Sequence, residues 1–462
     1  ALRRQHASAG ASGVQPRQRA EIDAVNGRVV GVPLEQQQRQ QQQSQQGQQG
    51  GSQGGGRAAA APVDYSAPGS WSVKPYAKSG PIDPTVAEWA LAYVGAMGKF
   101  TECRWIVGED GAPNVADAVA AVVVITHDRP AYLSRTVTSV LDHMTNPAKF
   151  PVYISQDGPD QAVQKVGEML ASEQGVGFMQ HLEQVVPTRE KRKENLAYYR
   201  IANHYKFALE RLLLAKGFAR VIILEDDMEV SPDFFDYFEA TAPLLQADPS
   251  LYAVSSWNDH GQERFVRDPE LLLRTDFFPG LGWMLTRELF EELNPRWPRA
   301  YWDDWMRLQE TRRGRQTVRP EMCRTLNFGA KGASHGQYFK QYLAHISAAS
   351  SKVPWLERDV GFLDAARWPG TFDALMEGAR DFRSDAREAA KTAATGTTVV
   401  VRYGSYKEYK SACKVLGIMD DWKDGVPRGA YRGVVMIRYG QGAFFLAPTP
   451  EAASGKVDGL VV

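Results

Sequence analysis

From Val119 onward, apolar and polar residues fall into a regular alternation of two periods. Residues 119–126, VAAVVVIT, are a nearly unbroken apolar run, the pattern of a strand buried on both faces. AYLSRTVTSVLDHM follows with Leu133, Val137, Leu141 and Met144 at helical spacing. FPVYISQDG (150–158) predicts the next strand, closing on Asp157 and Gly158. Residues 194–217 then carry Leu196, Ile201, Tyr205, Leu209 and Leu212 on one helical stripe, with Gly217 where a helix stop belongs. ARVIILEDD returns to a strand. Strand–helix–strand alternation of this kind predicts an α/β fold with a mainly parallel sheet covered on both faces.

Beyond the acids, Ser231 and Pro232 predict a helix start, as N-cap and first helical residue. LYAVSSWND (251–259) predicts a strand, and ELFEEL and DDWMRLQETRRG predict helices. Toward the C-terminus, TTVVVRYGS (397–405) and YRGVVMIRYGQGAFFLAP (431–448) are β-rich, with a helical SYKEYKSACKVLG between them. The expected organisation is a disordered low-complexity stem over 1–63, a linker with one helix over 64–117, a main domain over 118–330, and a loop and linker over 331–365. A smaller β-rich C-terminal domain over 366–452 and a tail over 453–462 complete it. The stem is Gln/Gly-rich, with little to bury. The linker helix rests on Trp89, Leu91, Val94 and Met97.

Lys plus Arg and Asp plus Glu number 54 each, so no global field favours nucleic acid or an anionic membrane. No run of about 18 apolar residues is present to span a bilayer. The three cysteines, Cys103, Cys323 and Cys413, match no metal-ligand spacing.

What changes the picture is VIILEDDMEVSPDF (221–234), where an apolar strand ends in Glu225, Asp226 and Asp227. Ligands of open α/β sheets sit beyond the C-terminal strand ends. Adjacent carboxylates there repel unless a cation neutralises them. Hard divalent ions such as Mn²⁺ or Mg²⁺ prefer such oxygens and often bridge to substrate phosphates. Taken alone, the triplet also fits three solvated acids ahead of a helix. Asp157 ends a second strand and Arg129, in THDRP, follows the first, so all would face one crevice if the sheet is parallel. The glycines of FGAKGASHG allow a mobile loop whose backbone can approach phosphates.

EDDMEVSPDFFDYF, SSWNDHGQ, RTDFFPGLGWML, WDDWMR and FGAKGASHGQYF occur in order. Together these five motifs resemble the catalytic domain of the N-acetylglucosaminyltransferase I family over roughly residues 119–450. The resemblance implies a GT-A type nucleotide-sugar fold and an inverting, Mn²⁺-dependent Golgi enzyme. That enzyme moves GlcNAc from UDP-GlcNAc, in β-1,2 linkage, to the α-1,3-linked mannose of an oligomannose N-glycan. Asp227 then matches the metal ligand, Asp226 the ribose contact and Glu225 the GlcNAc contact. Arg129, Asp157 and His204 match contacts to the uridine and phosphates, although a lone His on that stripe also suits a structural role. Asp303 matches the catalytic base, with Asp304 its neighbouring rival, and Trp302 lines the sugar pocket. Ser334 matches a phosphate contact on a loop covering the donor. Members of the family carry disulfides in this domain; the positions flanking the first two strand ends here hold His127 and Gly158. A type II membrane anchor upstream of the stem is expected and is absent from this sequence. The enzymatic alternative is a β-1,2-GlcNAc transferase acting on protein O-linked mannose.

Overall fold

The computed structural model describes residues 115–182, 194–330, 332, 333, 336 and 338–456. The stem, the helix expected around Trp89, Cys103 and Ser334 lie outside them. Among the described residues no helix is long and apolar enough to cross a membrane.

Strand β1 (Ala121–Thr126) lies between β2 (Val152–Asp157) and β4 (Arg220–Glu225), parallel to both. Its buried residues divide between two cores. Val122 and Val124 pack with Leu133, Val137 and Val140 of α1 (Pro130–His143), and with α2 (Gln161–Gln174) and α4 (Phe234–Ala247). Ala121 and Val123 pack on the other face with Ala202, Tyr205 and Leu209 of α3 (Leu196–Leu209). The alternation follows from the two-residue period of a strand, and each fully buried Val or Leu contributes about 1.5–3 kcal/mol. Helix α3 runs on through a wider turn, Glu210–Ala215, and stops at Gly217, whose φ of +84° suits glycine.

β3 (Gly177–His181) pairs in parallel with the outer side of β2. On the far side of β4 come β8 (Trp283–Thr286), β6 (Leu251–Ser255), β9 (Gln316–Pro320) and β7 (Leu272–Thr275), giving the order β3-β2-β1-β4-β8-β6-β9-β7. β8 and β7 run against the rest. The fold is therefore the expected mixed α/β sheet, mainly parallel. A short ribbon, β5 (Met228–Val230) against β10 (Thr325–Asn327), projects from the end of β4.

One expected boundary is corrected. The helix after the acids starts at Phe234 with Asp233 as N-cap, two residues later than Ser231 and Pro232 suggest. Asp233 is fully buried and accepts from Arg324 Nε at 3.0 Å and Trp355 Nε1 at 2.7 Å, so tertiary partners set the entry. The stretch DDWMRLQETRRG, expected to be helical, forms two helices, α6 (Trp302–Arg307) and α7 (Gln309–Arg312), broken where Leu308 takes an extended ψ of 142°. Helix α5 (Arg287–Leu293) precedes them.

After α8 (Trp368–Met376), a second sheet forms from β11 (Arg380–Asp381), β12 (Val399–Tyr403), β15 (Val435–Tyr439) and β16 (Gly442–Pro448), in the order β11-β12-β16-β15. Helices α9 (Ala386–Ala394) and α10 (Tyr406–Leu416) cover one face. Val400, Met436 and Phe445 turn to the other and join the main core through Trp368, Phe372 and Tyr431. The two-residue strands β13 (Trp422–Lys423) and β14 (Val426–Pro427) form a small hairpin beside it.

Candidate active site

The acids at the end of β4 are held by a shared arginine and by partners of their own. Asp226 N bonds Ile125 O at 3.0 Å, which ties the turn to β1. Thr126 Oγ1 donates to Asp226 Oδ2 at 2.7 Å, and Arg129 Nη2 donates to its Oδ1. Arg129 Nη1 also reaches Asp227 Oδ2 at 2.9 Å, and Asn327 Nδ2 reaches Asp227 Oδ1 at 3.0 Å. Glu225 turns the other way and accepts from Tyr205 Oη at 2.7 Å. Burial pushes Glu225 up to about 7; the negative charge of Asp227 adds to this, while Tyr205 and Arg129 oppose it. Burial likewise raises Asp226 to about 6 against the pull of Arg129 and Thr126. Like charges are therefore tolerated because one arginine serves two of them and burial raises the proton affinity of Glu225 and Asp226.

The glycine-bearing loop after β10 lies on this cluster. Phe328 N donates to Asp227 O at 2.9 Å, and a Cβ on Gly329 would sit 2.1 Å from Asp227 Oδ2. A Cβ on Gly332 would stand 3.9 Å from Arg129 Nη1. Asn195, the N-cap of α3, reaches Ala333 O at 3.5 Å.

Asp157 ends β2 two strands away, roughly 10 Å at the usual strand spacing. Its Oδ1 lies 3.8 Å from Nδ1 of both His181, at the end of β3, and His204, on α3. His127 Nδ1 donates to Asp157 O at 2.6 Å. Burial lowers the His204 pKa to about 4, partly opposed by its hydrogen bond to Ser155, so this imidazole is neutral. Asp157, His204, Arg129 and the acid triplet thus share one edge of the sheet.

Asp303 and Asp304 open α6, just after Tyr301, which holds a left-handed φ of +53°. Arg307 Nη1 bridges both, 2.8 Å from Asp303 Oδ2 and 3.2 Å from Asp304 Oδ1. Lys423, from the hairpin beside the second sheet, bonds Asp304 Oδ2 at 2.7 Å. Burial raises the Asp304 pKa, but Arg307 and Lys423 outweigh it and leave the carboxyl below its ordinary range. Trp302 is buried, its ring stacked 4.1 Å from Tyr205 and 5.6 Å from Trp283. Tyr205 thus joins the two halves, with its hydroxyl on Glu225 and its ring on Trp302. Burial, then Glu225, Asp303 and Asp227, drive the Tyr205 pKa well up. The charges of Asp227 and Asp303 therefore both act on the one tyrosine hydroxyl.

Sequence reasoning did not give Tyr205, Asn327, Thr126 or His181 a site role. Tyr205 stood on the apolar stripe beside His204, and Asn327 directly precedes the FGAKG motif, so both carried a local cue.

A mainly parallel sheet that gathers carboxylates, histidines and an arginine at its C-terminal edge defines a ligand-binding α/β enzyme. The chain belongs to the GNT-I family of N-acetylglucosaminyltransferases, whose family pattern matches residues 109–456. It is 50% identical over 321 residues to an alpha-1,3-mannosyl-glycoprotein 2-beta-N-acetylglucosaminyltransferase of Arabidopsis thaliana, covering 69% of this chain and 71% of that protein. Among solved structures, a mannosyltransferase from Pyrobaculum calidifontis in complex with GDP-Man and Mn²⁺ overlaps 45% of this chain and 56% of its own, at 17% identity and a TM-score of 0.27. A TarS structure from S. aureus overlaps 44% and 58%, at 9% identity and a TM-score of 0.32. Neither overlap bears on the chemistry of this chain.

Proposed function

We propose that the protein transfers GlcNAc, with inversion, from UDP-GlcNAc to the 2-hydroxyl of the α-1,3-linked mannose of an oligomannose N-glycan. The observation that carries this reading is that Tyr205 bonds Glu225 of the acid cluster through its hydroxyl and stacks on Trp302, the residue before Asp303. The relative's name, at 50% identity, supports the linkage and acceptor. The expected compartment is the Golgi lumen.

The acid cluster fits a hard divalent ion. Its donors are all carboxylate oxygens, and Gly329 leaves room beside Asp227 that a Cβ would fill. Asp227 would hold Mn²⁺, with Asp226 on the ribose and Glu225 on the GlcNAc. When bound, the ion supplies Lewis-acid stabilisation of the departing diphosphate. Arg129, Asp157 and His204 hold the phosphate and uridine parts, and Ser334 contributes from the loop. Asp303 takes the proton of the attacking hydroxyl on Oδ1, the oxygen Arg307 does not hold. Trp302, fixed between Tyr205 and Trp283, orients the helix that carries it.

Transfer to a five-mannose N-glycan, with and without Mn²⁺, tests the proposal. Asp303→Asn is expected to lose about 10²–10⁴ in kcat while UDP binding persists. Normal turnover by that variant removes Asp303 as base, and preference for an O-mannosyl peptide would replace the acceptor.

A further inference from the structure

Asp157, His181 and His204 bring three ligand atoms to one point. His181 Nδ1 and His204 Nδ1 are 3.2 Å apart, and each lies 3.8 Å from Asp157 Oδ1. A triangle with those sides has a circumradius of about 2.1 Å, which is the bond length of zinc to imidazole nitrogen or carboxylate oxygen. An ion at its centre would meet all three without movement of the backbone.

The surroundings also suit an ion. His204 Nε2 lies 3.0 Å from Ser155 O, and a carbonyl can only accept, so Nε2 carries the hydrogen. The Nδ1 lone pair is thereby aimed at the cluster, the arrangement a second hydrogen bond imposes on metal-binding imidazoles. His181 is clamped by stacking, 4.3 Å from Phe207 with the planes 5° apart, and 5.4 Å from His204. His127, half exposed, stands at the rim with Nδ1 4.0 Å from Asp157 Oδ2, and marks the route from solvent. Without an ion, His181 Nδ1–H donates to His204. Ion binding shifts His181 to its other tautomer, with the hydrogen on Nε2. Two nitrogens and one oxygen select zinc, cobalt, nickel or copper over the hard ions suited to the acid triplet.

We propose that Asp157, His181 and His204 form a three-ligand site for a zinc-class divalent ion, and that its occupancy excludes the nucleoside end of the donor. The second half rests on the functional reading above, which places Asp157 and His204 at the uridine; the first half does not.

Chelator-treated full chain titrated with Co²⁺ tests both. The expected result is about one equivalent with the intense visible bands of four-coordinate cobalt, displaced by Zn²⁺. His181→Gln, which keeps most of the side-chain volume, should abolish the bands with the circular dichroism unchanged, whereas Asp227→Asn should keep them. UDP should remove them, and Zn²⁺ at saturating Mn²⁺ should raise the donor KM about tenfold at constant kcat. Absent bands, or bands that survive His181→Gln, overturn the metal site. Bands that UDP leaves untouched keep the metal site and remove Asp157 and His204 from the donor pocket.

Discussion

Glu225 and Asp226 bind their protons more tightly in the folded chain than an open chain would, Glu225 up to about 7 and Asp226 up to about 6. The stability this contributes is complete below about pH 4 and is lost as pH rises through those values. The metal-free protein should therefore lose on the order of 2 kcal/mol of unfolding free energy between about pH 5 and 7.5, and Glu225→Gln should flatten that slope. Urea denaturation across the range measures it; stability rising with pH would contradict the assignment. Divalent cations compete with the same protons, so Mn²⁺ should raise the melting temperature more at the upper end of the range than at the lower. Asp303 and Asp304 differ in another way. Asp304 is tied to two cations and Asp303 to one. Asp304→Asn should then retain kcat within about tenfold while Asp303→Asn does not, and steady-state kinetics on the pair separates base from anchor.

At the scale of elements, the loop after β10 is expected to be intolerant at one position. A Cβ on Gly329 would meet Asp227 Oδ2 at 2.1 Å, so Gly329→Ala must move either the loop or the carboxylate. Such overpacking costs about 1–3 kcal/mol. The expected outcome is a loss of Mn²⁺-dependent transfer of at least about tenfold with UDP-free stability reduced by no more than that cost. Unchanged metal dependence would mean that the loop does not rest on the acids. This contact was invisible in the sequence for the same reason that several elements were. β1 and β4 are built on apolar runs and β2 closes on an Asp-Gly turn, so local pattern alone marks them. β8 and β7 are four residues each, and their reversed direction is set by pairing with β4 and β9. The start of α4 is displaced because Asp233 answers to Arg324 and Trp355, about ninety residues or more away. Motif resemblance could point to the acids and to Asp303. Tyr205 links them only because a helix brings it 20 residues back onto Glu225 and, across the core, onto Trp302.

Across the whole molecule, the second sheet is fastened to the first by buried charge as well as by Trp368, Phe372 and Tyr431. Arg428 Nη1 donates to Asp259 Oδ1 at 2.8 Å, and its Nε and Nη2 clasp Asp421 at 2.9 and 2.7 Å. Its guanidinium carbon lies 4.6 Å from the centre of the Phe277 ring, and Arg307 lies 4.9 Å from the same centre. The arginine that grips Asp303 and the arginine that joins the sheets therefore share one aromatic ring, and the hairpin beside that joint supplies Lys423 to Asp304. Removing Arg428 leaves the buried Asp259 carboxylate without its ion-pair partner, which typically costs about 3–5 kcal/mol, while Asp421, with 35% of its side chain exposed, adds less. Arg428→Met should accordingly lower stability by that amount, and adding Asp421→Asn should recover part of it, because one of the stranded charges is gone. Because Val400, Met436 and Phe445 belong to the same core as Val122 and Leu133, the loss should appear as one shifted denaturation transition. Two separated transitions would show that the sheets fold independently. The folded double variant should bind UDP normally and turn over slowly, since the altered joint lies beside Asp303 and away from Asp157.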